Sequence, residues 1–146
     1  IRSQRDPANG KLGNSMCGPT SLGMILDYYG KHPSSLKLAK ECGTTLSSGT
    51  YAGALAKVGE KYGLSSSIKT GMSVDAMAKI VNSGKPVIAH VNTKGYWGSG
   101  HYYVVTGVKN GKVIVNDPWK GAQRTYTIQQ FKAQWSSRSN RIIAFN

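Results

Sequence analysis

The chain changes texture at Gly84. Before it, apolar residues recur at helical spacing: Leu22, Ile25, Leu26 and Tyr29 share one face of a segment that opens at Cys17 and stops at Gly30. A short helix is predicted over Ser35 to Cys42. A third runs from Thr50, as N-cap, through Leu55, Val58 and Tyr62 to a stop at Gly63. A fourth opens at the capping residue Ser73 and carries Val74, Met77, Ile80 and Val81 to Gly84. After Gly84, "KPVIAHVN", "HYYVVTGV", "KVIVND" and the terminal "RIIAF" are β-branched and aromatic runs punctuated by Gly and Asn, the texture of strands. A late helix near 127–135 interrupts them, and residues 1–16, broken by "DPANG" and "GNS", read as a loop. The pattern predicts an α+β fold, N-terminal helices packed on a C-terminal antiparallel sheet, with the leading helix across it. No repeat or linker divides the chain, so a single domain over 1–146 is expected.

Composition narrows the class. At 146 residues the chain is long enough to bury a core without staples. Its longest apolar runs fall far short of the roughly 20 residues of a membrane helix. The opening "IRSQRDPANG" has no apolar core, so an export signal has been removed or belongs to a longer parent chain. Nineteen Lys and Arg against six Asp and Glu give +13, which implies attraction to a polyanion: nucleic acid, anionic lipid or a phosphate-rich wall polymer. The basic residues are spread out, with no arginine-rich tract, so nucleic acid is not favoured. Cys17 and Cys42 form no CxxC or Cys/His metal spacing. They read as thiols, Cys42 as a buried structural one, and neither metal nor cofactor is implied.

Cys17 raises the chemical question. In the first turn of a helix a cysteine faces unpaired backbone N–H groups and the positive end of the helix dipole, which stabilise a thiolate. Pro19 suits that turn, and Gly18 leaves room for a substrate to approach the backbone. A nucleophile needs a base. His32, before Pro33, reads as a surface residue, and His90, alternating with Ile88 and Val91, as a core or sheet-face residue. His101 follows the glycine loop "YWGSG" and opens a strand at the rim of the sheet, where a base belongs. The hairpin after it offers Asn116 and Asp117 to orient the imidazole. A two-residue turn at Asn110-Gly111 puts Asn116 on His101's face. A three-residue loop over Lys109, Asn110 and Gly111 puts Asp117 there and pairs Val105 with Val115. Asp117 is preferred, with Asn116 open.

Five blocks then align in order over most of the chain: "SQRDP" (3–7), "CGPTSLGMILDYYG" (17–30), "GKPVIAHV" (84–91), "GHYYVVTGV" (100–108) and "VNDPW" (115–119). Together they resemble the papain-like cysteine peptidases related to bacteriocin double-glycine leader peptidases. The resemblance implies the papain-like fold and a triad of Cys17 as nucleophile, His101 as general base and Asp117 as its orienter. It also implies Gln4 as side-chain donor of an oxyanion hole shared with the Cys17 N–H. Gly18, Trp97, Gly100 and Trp119 are expected to contact substrate, the two tryptophans as cleft wall.

A cysteine hydrolase acting through an acyl-enzyme follows, and small free-standing members of such families suggest a peptidoglycan hydrolase, secreted or phage-encoded and cut from a longer chain. The charge would then help it adhere to an anionic wall polymer. The alternatives are a toxin or effector domain, which would have an inhibitor or immunity protein as partner, and a double-glycine leader peptidase. A binding module with a retired site fits least, because all three triad candidates are present.

Overall fold

A computed structural model describes residues 1–96 and 98–146, the side chains of 94–99 aside. Five α-helices are formed by the described residues: α1 (Cys17–Tyr28), α2 (Ser35–Cys42), α3 (Ala52–Lys61), α4 (Val74–Asn82) and α5 (Ile128–Trp135). The strands are β1 (Ser66–Lys69), β2 (Val87–Tyr96), β3 (Gly98–Lys109), β4 (Lys112–Asp117), β5 (Ala122–Thr127) and β6 (Ile142–Phe145). They make one six-stranded sheet in the order β1-β6-β2-β3-β4-β5, every described pair antiparallel. This is the α+β architecture that the pattern predicts.

Local chemistry sets most boundaries. Gly30, Gly63 and Gly84 all turn out of their helices with positive φ. Ser73 caps α4 by accepting from the Ala76 N–H, and Thr127 with Gln130 forms a capping box on α5. Thr50 departs from expectation: the N-cap of α3 is Tyr51, which makes no side-chain cap. Thr50 is buried instead, its hydroxyl 2.6 Å from that of Thr44 and its carbonyl accepting from Tyr102 Oη. The N-terminal segment also differs from a plain loop. Pro7–Ser15 forms 3-10 turns capped by Asp6 and kinked at Gly10, because proline and an Asx cap satisfy a tight turn as readily as they break a helix.

Helices cover both faces of the sheet. On one side Leu22, Ile25 and Leu26 of α1, Leu38 of α2 and Leu55 of α3 pack with Ile88, Tyr102, Val104, Ile143 and Phe145. On the other, Val74, Met77 and Val81 of α4 and Phe131 and Trp135 of α5 pack with Val87, Val91, Tyr103, Val105 and Val115. The central strands therefore alternate between two cores rather than between core and water. This face-by-face alternation fixes which neighbours on β3 and β4 meet.

The hairpin β3–β4 resolves the Asn116/Asp117 alternative by a route that neither predicted turn describes. Asn110 and Gly111 form a two-residue turn with φ 54 and 73, between Lys109 and Lys112, the conformation that favours Asn-Gly. The three-residue loop is not formed. The register shifts further along, where Thr106 and Gly107 together oppose Ile114 and Val105 comes to face Val115. That is a β-bulge. It places Asn116 opposite Val104, on the α1 side, and turns Asp117 to the face of Tyr103 and His101.

Candidate active site

The N-terminus of α1 lies over the end of β3. Met16 supplies no side-chain cap, so the N–H groups of the first turn, apart from Pro19, which has none, are left for a negative group. Cys17, at the first helical position, is a half-exposed free thiol at the floor of a cleft of about 420 Å³. Cys42 is its opposite: buried at the end of α2, its thiol is pushed up to about 12 by burial and by Glu41, which leaves it protonated and inert.

His101, 3% exposed, lies 2.9 Å through Nε2 from Asp117 Oδ1, and its ring also hydrogen-bonds the Cys17 side chain. With Nε2 on Asp117, Nδ1 is left to face the sulfur. Burial opposes a charge on this ring, but the bonds to Asp117 and Cys17 and the negative charge of both outweigh it and raise His101 to about 9. Asp117 is fully buried, and is fixed by the Trp119 N–H, 3.0 Å from Oδ1, and by Arg124 Nε, 3.5 Å from Oδ2.

Gln4 is 1% exposed and lines the same cleft. Its backbone N–H donates to the Pro118 carbonyl at 2.7 Å, and its carbonyl accepts from Asn9 Nδ2 at 3.1 Å. Gly13 packs so close that a Cβ there would lie 2.4 Å from the Gln4 carbonyl oxygen. The side chain donates through Nε2 to Gly13 O at 2.9 Å and, at 3.4 Å, to Asn14 O, while Oε1 is buried without a partner. One amide N–H is thus firmly used and the other only loosely.

The remaining expected contacts separate. Gly100 and Trp119 line the cleft, the Trp119 ring carrying the Arg5 guanidinium 5.0 Å above its centre. Trp97 lies outside the described residues. Gly18 does not line the cleft: a Cβ there would meet Thr50 and Leu55 at 3.2 Å, so what its missing side chain admits is α3, not a ligand. His32 is exposed and paired with Asp27 at 2.8 Å, well away from the site.

Sequence reasoning missed the far wall. The polar loop Leu46–Thr50 and a group formed by His90, Arg138 and Arg141 close the cleft. His90 sits on the sheet face as expected, stacked on Tyr102 with ring centres 4.4 Å apart. The only sequence signal for the two arginines was a general excess of positive charge.

Comparison with known proteins gives the family and the fold. The Peptidase_C39 like family matches residues 1–143. The transport/processing ATP-binding protein ComA of Streptococcus pneumoniae is 33% identical over 122 residues, which is 82% of this chain and 16% of that protein. The chain therefore spans about a sixth of the curated relatives it matches. A C39-like peptidase from Bacillus anthracis superposes with a TM-score of 0.77 at 23% identity, covering 90% of this chain and 88% of that one. A double glycine motif protease from an AMS/PCAT transporter, solved with its leader peptide, gives 0.69 at 24% identity over 90% and 84%. At these identities the structures establish the fold alone, and it is the fold expected from the five sequence blocks.

Proposed function

This chain belongs to the Peptidase_C39 like family and is a cysteine peptidase, and from that premise we propose that it cleaves a peptide after a double-glycine motif, with Cys17 as nucleophile. This reverses the order expected from sequence. The relatives are transport/processing proteins and leader-peptide proteases, and none that is described here brings in a cell wall, an extracellular setting or an immunity partner. The chain acts, in this reading, as the peptidase part of a longer protein.

The single observation that carries the chemistry is the relay of side chains from Asp117 through His101 to Cys17. His101, raised to about 9, is an imidazolium at neutral pH, and in the proposed mechanism Cys17, at the uncapped end of α1, reacts as the thiolate member of the pair. The sulfur attacks the carbonyl carbon of the scissile bond. The oxyanion that forms is met by the Cys17 N–H and by the Gln4 Nε2 hydrogen that otherwise makes the long contact to Asn14. His101 then gives its proton to the leaving amine, the amide C–N bond breaks, and an acyl-enzyme remains. Water, deprotonated by the now neutral His101, releases the acid. Asp117 keeps the ring oriented throughout.

The test is digestion of synthetic leader peptides ending in Gly-Gly, beside peptides with either glycine replaced, with product masses read by mass spectrometry. Cleavage after the second glycine that disappears in Cys17→Ala is the expected result. Intact peptides, with fragments released instead from purified peptidoglycan by the same thiol, would overturn it.

A further inference from the structure

The turn that joins α5 to β6 carries two charges into the cleft. After the 3-10 turn Ser136–Arg138, both Ser139 and Asn140 have left-handed backbone, φ 59 and 46, a conformation that side chains other than glycine adopt only when their surroundings hold it. Surrounding bonds hold it: the Gly71 N–H donates to Ser139 O at 2.8 Å, Asn140 Nδ2 to Met72 O at 2.8 Å, and Trp135 Nε1 to Arg141 O at 2.9 Å. The strained turn brings the residues on either side of it, Arg138 and Arg141, onto the wall of the cleft that holds Cys17 and His101.

Among the described residues neither arginine has a carboxylate within ion-pair distance. Arg138 Nε is buried with no hydrogen-bond partner. Its guanidinium occupies space that Gly100 leaves open, since a Cβ on Gly100 would lie 2.8 Å from Arg138 Nη2. Arg141 Nη1 is 3.3 Å from His90 Nδ1. Burial, then the charges of Arg138, Arg141 and His101, push His90 down to about 4, so at neutral pH it is an acceptor that steadies Arg141 rather than a third cation. Partly desolvated cations without a counter-ion are costly. Here two of them stand on the wall of the cleft that holds Cys17, positioned to meet a negative group.

We propose that Arg138 and Arg141 form an anion subsite that takes a carboxylate of the bound peptide, from an acidic side chain or a free C-terminus, within a few residues of the scissile bond. This rests on the reading of Cys17 as the nucleophile and adds a specificity to it.

The test uses affinity labels, which need the thiol but not turnover. Bromoacetyl-oligoglycines with spacers of increasing length are made in pairs: glutamate against glutamine, both amidated, and free C-terminus against amide. The rate of Cys17 alkylation is read by mass spectrometry. Cys42, buried and protonated, stays unlabelled. Wild-type protein is expected to react about tenfold faster with one carboxylate reagent than with its neutral twin. The winning pair identifies the source of the carboxylate. In Arg138→Gln/Arg141→Gln the ratio should collapse toward unity, and Arg138→Lys/Arg141→Lys should keep part of it. If the double variant does not fold, the single Gln variants give the same comparison. Equal rates within every pair, or a preference that survives the Gln variants and so belongs to the His101 imidazolium, would overturn the subsite. A preference that depends on the arginines in a protein that cuts no double-glycine peptide would keep the subsite and overturn the substrate instead.

Discussion

At the scale of single residues, His101 holds the most informative balance. Its ordinary value is 6.5; burial works to lower it, and Asp117 with Cys17 raises it to about 9. The reactive pair exists while the imidazolium is charged, so kcat/KM should hold through neutral pH and fall as pH rises through about 9. Asp117→Asn removes one raising contact and the orienting charge. We expect kcat to fall about a hundredfold and the alkaline limb to move to lower pH; an unmoved limb would contradict the pairing. Gly13→Ala, whose Cβ would lie 2.4 Å from the Gln4 carbonyl, should displace Gln4 and lower kcat about tenfold with little change in KM, which steady-state kinetics would show. Cys17 and His101 were legible as candidates because a helix mouth and a strand rim are local features. Gln4's setting was not, since it is built by Asn9, Gly13 and Pro118, and the last is distant in sequence.

Elements bring these residues together through close contacts and one irregularity. Gly59 in α3 leaves room for the Phe145 ring of β6, where a Cβ would lie 2.6 Å from Cε1. Gly59→Ala should destabilise the fold by about 1–3 kcal/mol in denaturant titration, while the thiol of the folded protein reacts with iodoacetamide as before. In the β3–β4 hairpin, Asn110 tolerates its φ of 54 better than alanine does. Asn110→Ala is expected to cost about 1 kcal/mol, measured the same way. The dipeptide offered the Asn-Gly turn as one of two alternatives, while the preference for Asp117 went with the three-residue loop that is not formed. The bulge at Thr106 was not, because "YYVVTGVK" is apolar on both faces and carries no parity that a one-residue shift would break. For related reasons β1, with one apolar residue in four, and β5, the polar "AQRTYT", escaped notice as edge strands.

Across the whole molecule, the sequence pointed to helices on a sheet but not to a sheet covered on both faces by separate helix groups. The continuous apolar character of "PVIAHV" and "YYVVTGV" is the trace that two-sided burial leaves in a sequence. Charge acts at this scale as well. With 19 basic and 6 acidic residues the folded protein carries +13, and compaction brings like charges together. Its Tm should therefore rise with added salt over the range in which the Debye length shrinks to about 8 Å, as scanning fluorimetry would show. In the proposed mechanism the arrangement as a whole holds one thiol between a buried imidazolium and an uncapped helix end. The most direct test is acid quenching of the protein during turnover of a double-glycine peptide, followed by peptide mapping in a mass spectrometer. An acyl group ending in glycine, attached to Cys17 and disappearing with time, is the predicted result. Cleavage that proceeds with no adduct on Cys17 and persists in Cys17→Ala would contradict the account.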